Sequence, residues 1–140
     1  YANVYGSRQN PRGEAGVVAI FALQMLQDKP CTIFGKGDKT RDYVHVSDIA
    51  RLNLLALAGL NKTSYNAGSG LETTDQKMFD TLAELLNYNK KPLYAPARKG
   101  EVYRICLNSA RVEKALGWKP EVGLREGLQK TVKYYRDLAK

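Results

Sequence analysis

Apolar residues recur at helical spacing in several stretches of the chain, with short extended runs between them. Val18, Phe21, Ala22, Met25 and Leu26 share one face of a helix predicted from Glu14 to about Asp28. Pro30 ends that helix, and Cys31-Thr32-Ile33-Phe34 reads as a short strand. Thr40 to Ala50 is a junction where strand gives way to helix. Tyr43, Val44 and Val46 suit a half-buried extended segment, and Ser47 and Asp48 offer oxygens to the bare amides of a helix start. The helix that follows, through Leu60, is apolar almost all round and is expected in the core.

Beyond it, Thr63 to Ala67 reads as a strand running into the turn Gly68-Ser69-Gly70, and Thr73-Thr74-Asp75-Gln76 has a capping-box pattern. Phe79, Leu82, Ala83 and Leu86 form the stripe of the next helix. Lys91 to Pro96 is extended, with prolines suited to an edge strand, and Ala97 to Val102 is a loop before a further extended run over Tyr103 to Leu107. Asn108-Ser109 caps a short helix through Leu116, stopped by Gly117, with Pro120 beyond. Leu128, Val132 and Tyr135 mark a final amphipathic helix from Leu124 to about Ala139. At the other end, Tyr1 to Val4 reads as the tail of a strand, followed by a turn-rich loop from Tyr5 to Gly13. Short strands alternating with helices predict an α/β layer arrangement in which several loops converge on one cleft.

With 140 residues and 44% hydrophobic content, one domain with a real core is expected over residues 1–140. Tyr1 opens in what reads as the end of a strand with no initiator Met, so the chain is expected to be part of a larger protein. No signal peptide and no membrane-length apolar run is present, and a soluble cytoplasmic protein that binds no membrane is expected. Cys31 and Cys106 stand far apart and there is a single His, which argues against a zinc site or a disulfide; both cysteines are expected reduced and buried. The net charge of +8 is spread along the chain, with no basic stripe interleaved with aromatics, which disfavours nucleic acid and favours an anionic small ligand only slightly over no specific partner.

No catalytic constellation is evident. Gly35 and Gly37 are followed by Thr40, and Gly68 and Gly70 by Thr73, so neither pair completes a GxGxxG phosphate cradle, and both read more readily as turns. None of the nine tyrosines has a lysine four residues on, the pair that would lower a tyrosine pKa for base work. What the chain does hold is loop arginines. Arg41 and Arg98 stand beside glycine-containing loops, where each has two readings: a surface pair with Asp42 or Glu101, or a planar guanidinium donating two hydrogen bonds to a pyrophosphate. Asn3 is either a backbone-capping amide or a ligand contact, and His45 reads as a packed, neutral ring.

Several stretches, in this order, resemble extended short-chain dehydrogenase/reductases: Asn3-Val4-Tyr5-Gly6-Ser7-Arg8-Gln9, Gly13-Glu14-Ala15-Gly16-Val17-Val18, Thr32-Ile33-Phe34-Gly35, Thr40-Arg41-Asp42-Tyr43-Val44-His45-Val46-Ser47-Asp48, Tyr65-Asn66-Ala67-Gly68, Arg98-Lys99-Gly100-Glu101 and Ala115-Leu116-Gly117-Trp118-Lys119-Pro120. Within that family the chain is most similar to the carboxyl-terminal half of 4-epimerases acting on UDP-glucose. The resemblance implies an α/β substrate-binding part without the main Rossmann sheet, whose full-length enzyme interconverts UDP-glucose and UDP-galactose through a 4-keto sugar, uses NAD held mainly by an amino-terminal domain, and forms a homodimer. It places Asn3, Gly16 and Val17 at the diphosphate, Thr32, Ile33 and Phe34 around the uracil, Arg41 and Arg98 as the diphosphate clamp, Glu101 on the ribose, and Tyr1 and Ala2 beside the nicotinamide. The fragment itself would be inactive, with an apolar surface around Tyr1 to Tyr5 and the Leu52 helix where the missing half would pack. Two positions depart from the family pattern: Asn108, where relatives carry Asp, and Ser7, where they carry Pro.

Overall fold

A computed structural model of the chain describes residues 1–11, 16–59 and 63–138. Among these, five strands and five helices form in the order β1 (Asn3–Tyr5), α1 (Val17–Leu26), β2 (Thr32–Phe34), β3 (Thr40–His45), α2 (Val46–Gly59), β4 (Glu72–Thr74), α3 (Asp75–Leu86), β5 (Leu93–Ala95), α4 (Ala110–Leu116) and α5 (Leu124–Leu138). The predicted helix start at Glu14, the Gly13-Glu14-Ala15 motif, and the predicted ends at Leu60 and Ala139 lie outside the described residues.

Two small sheets carry the architecture. β3 is central in the first, parallel to β1 with Asn3 opposite Tyr43, and antiparallel to β4 with Arg41 opposite Thr73. β2 and β5 form the second, parallel, with Ile33 opposite Tyr94. The alternation along β3 therefore sends Arg41 and Tyr43 to one face and Asp42 and Val44 to the other. One core packs α1, α3 and α5 around Phe21, Met25, Phe79, Leu82 and Leu128. A second gathers Val44, Ile49, Leu52, Val112 and Trp118 beneath α2 and α4. Thr74 caps α3 by accepting from the Lys77 amide at 3.0 Å, one position beyond the expected capping box, and Gly117 closes α4 at φ +64°.

Four expectations are corrected. Ser47 and Asp48 do not cap α2, which already begins at Val46. The Asp48 carboxylate is buried and instead accepts from the Glu121 and Val122 amides at 3.1 and 3.0 Å, while its carbonyl accepts from the Trp118 indole at 2.9 Å. α2 is not enclosed: Ile49 and Leu52 are buried, but Leu54 and Leu57 are 70% and 86% exposed, with Tyr1 exposed as well. Residues 63–67 form no strand, because the segment is held by single bonds, Ala2 N–H to the Ala67 carbonyl at 2.8 Å and the amides of Ser69 and Gly70 to Asp42. Cys31 is buried, and burial pushes its thiol up to about 11, but Cys106 is exposed. No described helix is long and apolar enough to cross a membrane.

Candidate functional site

Where the ends of β1, β2 and β3 meet the inner face of α1, they enclose a cavity of about 700 Å³. Each element delivers side chains by its own period. From α1 come Val17, Ile20, Phe21 and Gln24, spaced as one helical stripe; from β3 and the residues leading into it come Lys39, Arg41 and Tyr43, alternate positions on one face. β1 adds Ala2 to Tyr5, β2 adds Thr32, Ile33 and Phe34, and the loop after β5 brings Arg98 and Glu101. Asn3, Gly16, Val17, Thr32, Ile33, Phe34, Arg41, Arg98, Glu101 and Ala2 thus all border this one space. Tyr1 does not; it stands at the surface, its hydroxyl donating to the Asn53 side-chain oxygen.

The glycine loop before β3 sets this up. Gly35 and Gly37 adopt φ of +86° and +79°, conformations that side chains rarely take. The turn they make docks against its neighbours: Gly35 donates to the Ala95 carbonyl at 2.8 Å, and the Gln76 and Asp75 amides donate to the Gly37 and Lys39 carbonyls, both at 3.0 Å. The loop therefore acts as a turn, and its exit carries Lys39 into the cavity wall, only 5% exposed.

Neither arginine makes the surface pair considered from sequence in its simple form. Asp42 faces away from Arg41 and is fully buried, accepting from Ser69 N–H at 2.7 Å, Ser69 Oγ at 2.6 Å, and the Gly70 and Leu107 amides at 3.1 Å each. Arg41 donates to its neighbour's carbonyl, Thr40 O, at 2.8 Å and lies 3.7 Å from Glu101 Oε1. Glu101 Oε2 is taken by the Lys39 ammonium. Arg98 stacks its guanidinium over the Phe34 ring, 3.8 Å from the centroid.

Sequence reasoning missed Lys39, Asp75, Gln9 and Gln24, all of which line the cavity. For Lys39 a signal existed, its i, i+2 relation to Arg41; nothing local marked the other three. Burial holds the Asp75 carboxyl above its usual value, against the pull of Lys39 and Arg41. Tyr5 and Tyr43, ring centroids 6.2 Å apart, border the same space, and burial raises both phenols far above the ordinary tyrosine value. They remain protonated at any physiological pH and cannot serve as bases. No group of three or more His, Cys, Asp or Glu residues suited to a metal ion occurs among the described residues. The chemistry on offer is recognition: cations for phosphate, an aromatic face, strand-end backbone and one carboxylate.

The fold is an α/β scaffold with a cleft at converging strand ends, lined by three cationic side chains, Lys39, Arg41 and Arg98. Residues 1–68 match the NAD dependent epimerase/dehydratase family. A UDP-glucose 4-epimerase of Mycolicibacterium smegmatis is 41% identical over 97% of this chain. The crystal structure of a UDP-glucose 4-epimerase from Thermotoga maritima, solved with UDP-glucose, superposes on the whole chain with a TM-score of 0.98 at 47% identity. That of a Thermus thermophilus UDP-glucose 4-epimerase in complex with NAD superposes on 97% of it, with a TM-score of 0.87 at 41% identity. The chain is similar to the carboxyl-terminal half of UDP-glucose 4-epimerases, and its first 68 residues carry the match to the epimerase/dehydratase family. It spans 44% of the length of the Mycolicibacterium relative and 45% of each of the two solved chains.

Proposed function

We propose that this chain is the substrate-binding half of an NAD-dependent UDP-sugar 4-epimerase that interconverts UDP-glucose and UDP-galactose. The observation that carries the reading is the convergence of Arg41 from β3 with Arg98 and Glu101 from the loop after β5 on one cavity walled by Phe34 and the start of α1. In this reading Arg41 and Arg98 grip the diphosphate with Asn3, Gly16 and Val17 beside them, Glu101 accepts from the ribose, and Thr32, Ile33 and Phe34 hold the uracil. The chemistry asks for that division of labour. The nucleotide is held while the hexose turns over, so binding energy is placed on the part of the substrate that does not react.

NAD, when bound, accepts hydride from the sugar C4 and returns it to the other face. Ala2 and Tyr1 would give its nicotinamide a wall, but the sequence holds no GxGxxG loop, so most NAD contacts are assigned to the remainder of a full-length enzyme. The exposed leucines of α2 and Tyr1 fit a surface covered by that remainder. The 140-residue chain alone is then inactive, and the full-length enzyme is a cytoplasmic homodimer.

Product analysis tests the reaction. Incubated with NAD and UDP-glucose, the full-length protein is expected to yield UDP-galactose; a deoxy or decarboxylated product would move it to another reaction on this scaffold. Calorimetry tests the site. Arg41→Ala and Arg98→Ala should each weaken UDP binding by about 1.5–3 kcal/mol, the loss of a charge-assisted hydrogen bond, and unchanged affinity in both variants rejects the clamp.

A further inference from the structure

Lys39 is a buried cation with no place in the assignment above. Its side chain is 6% exposed and ends on Glu101 Oε2, while the other oxygen of the same carboxylate lies 3.7 Å from Arg41 Nη2, a side chain 15% exposed. One carboxylate thus stands between two cations, in a wall where solvent screening is weak and each unbalanced charge is costly. Glu101 has little else to hold it. It sits in an exposed loop beside Gly100, whose φ is +80°, and its own backbone bond, to the Arg98 carbonyl, is long at 3.4 Å. Lys39, by contrast, is anchored at both ends, its carbonyl accepting from the Asp75 amide that opens α3.

Resting on the nucleotide-sugar reading of this cavity, we infer that Lys39 is a positioning residue that draws one oxygen of the Glu101 carboxylate to itself and so weakens that carboxylate's hold on Arg41, leaving the guanidinium able to exchange it for a diphosphate. Without the ammonium, the full charge of Glu101 falls on Arg41 and occupies one side of its planar fork, leaving fewer donors for a pyrophosphate. Lys39 reaches the phosphate only through this exchange of partners. Asp75, beside the same two cations, cannot replace it as a counter-charge because it has the wrong sign.

A double-mutant cycle on the full-length protein tests the inference, with UDP and inorganic pyrophosphate as calorimetric probes. Lys39→Met is expected to weaken both by about tenfold, the scale of one charge-assisted bond. In the Glu101→Gln background the same substitution should cost less than about threefold, because the charge that Lys39 restrains is gone. Lys39→Arg should retain near wild-type affinity. An equal cost of Lys39→Met in both backgrounds, or no cost in the wild type, overturns the inference and leaves the nucleotide-sugar reading standing. A wild-type protein that binds neither probe overturns both. Should Lys39→Met fail to fold, Glu101→Gln alone decides: pyrophosphate binding that holds or tightens supports the exchange, and weakening overturns it.

Discussion

Replacing Asp42 tests whether the motif around β3 is built as described. The Asp42 side chain is fully buried and serves four donors, two on Oδ1 from Ser69 and two on Oδ2 from the Gly70 and Leu107 amides. Asp42→Asn keeps the shape and swaps one oxygen for a donor. The better of its two orientations puts the new NH2 toward Ser69, where Oγ can turn to accept and only the Ser69 amide is orphaned; the other orientation orphans two amides. One lost partner for a buried N–H costs about 1–3 kcal/mol, so Asp42→Asn should lose roughly that much stability. Asp42→Ala removes all four acceptor contacts and should cost about 3–5 kcal/mol. Urea denaturation followed by circular dichroism reads both, with an unchanged slope marking a true stability loss. If Asp42→Asn unfolds within about 0.5 kcal/mol of the wild type, the carboxylate is not the tie between the 68–70 turn, residue 107 and β3.

Two further outcomes follow from burial elsewhere. His45 Nδ1 pairs with the Ser47 hydroxyl at 2.7 Å, and its buried Nε2 has no partner among the described residues. Burial, then Lys130, lowers its pKa, against the opposing pull of Asp48 and Glu126. A histidine with a lowered folded pKa contributes stability that is fully present above its unfolded value of about 6.5 and declines as pH falls below it. The urea midpoint should fall between pH 6.5 and 5.5 in the wild type and less so in His45→Gln; parallel profiles would assign that acid sensitivity to other groups. Gly127 of α5 faces the Tyr5 and His45 side chains, and a methyl there would overlap the Tyr5 hydroxyl, whereas one at Gly123 meets nothing within 4 Å. Gly127→Ala should therefore lower the melting temperature through about 1–3 kcal/mol of overpacking despite alanine's better helix propensity. Gly123→Ala, just before α5 and in open space, is the control for an added methyl, and a Gly127→Ala protein that melts higher than it would refute the contact.

Much of this architecture was legible along the chain because its causes are local. The periods of α1, α3 and α5, the stop at Gly117 and the edge character of β5 each depend on residues within a turn or two, and each stands where the patterning puts it. The strand β4 escaped notice because its three residues, Glu72-Thr73-Thr74, are too short to show alternation and were absorbed into the cap of α3. The apolar ring of α2 misled for a different reason. Composition says that a face is hydrophobic but not that anything described here covers it, and Leu54 and Leu57 are left in solvent.

The acids and the lysine of the β3 region show where local reasoning stops. Asp42 beside Arg41, and Asp48 at a helix start, invite the nearest explanation, an ion pair and a cap. Yet the β period turns Asp42 to the face opposite Arg41, and the backbone amides that donate to the two carboxylates lie 27 to 74 residues away, although Asp48 also meets the Arg51 guanidinium three residues on at 3.4 Å. Lys39 is the sharper case, because a lysine in a glycine loop reads as solvated by every compositional rule. Burying it is tolerable only with a carboxylate at hand, and that partner is 62 residues downstream in a loop with no pattern of its own. A charged side chain that the fold buries beside a cavity is therefore informed by its neighbours in space rather than in sequence. The local clue that survives is geometric: Lys39, Arg41 and Tyr43 fall two residues apart, so whatever Arg41 faces, Lys39 faces too.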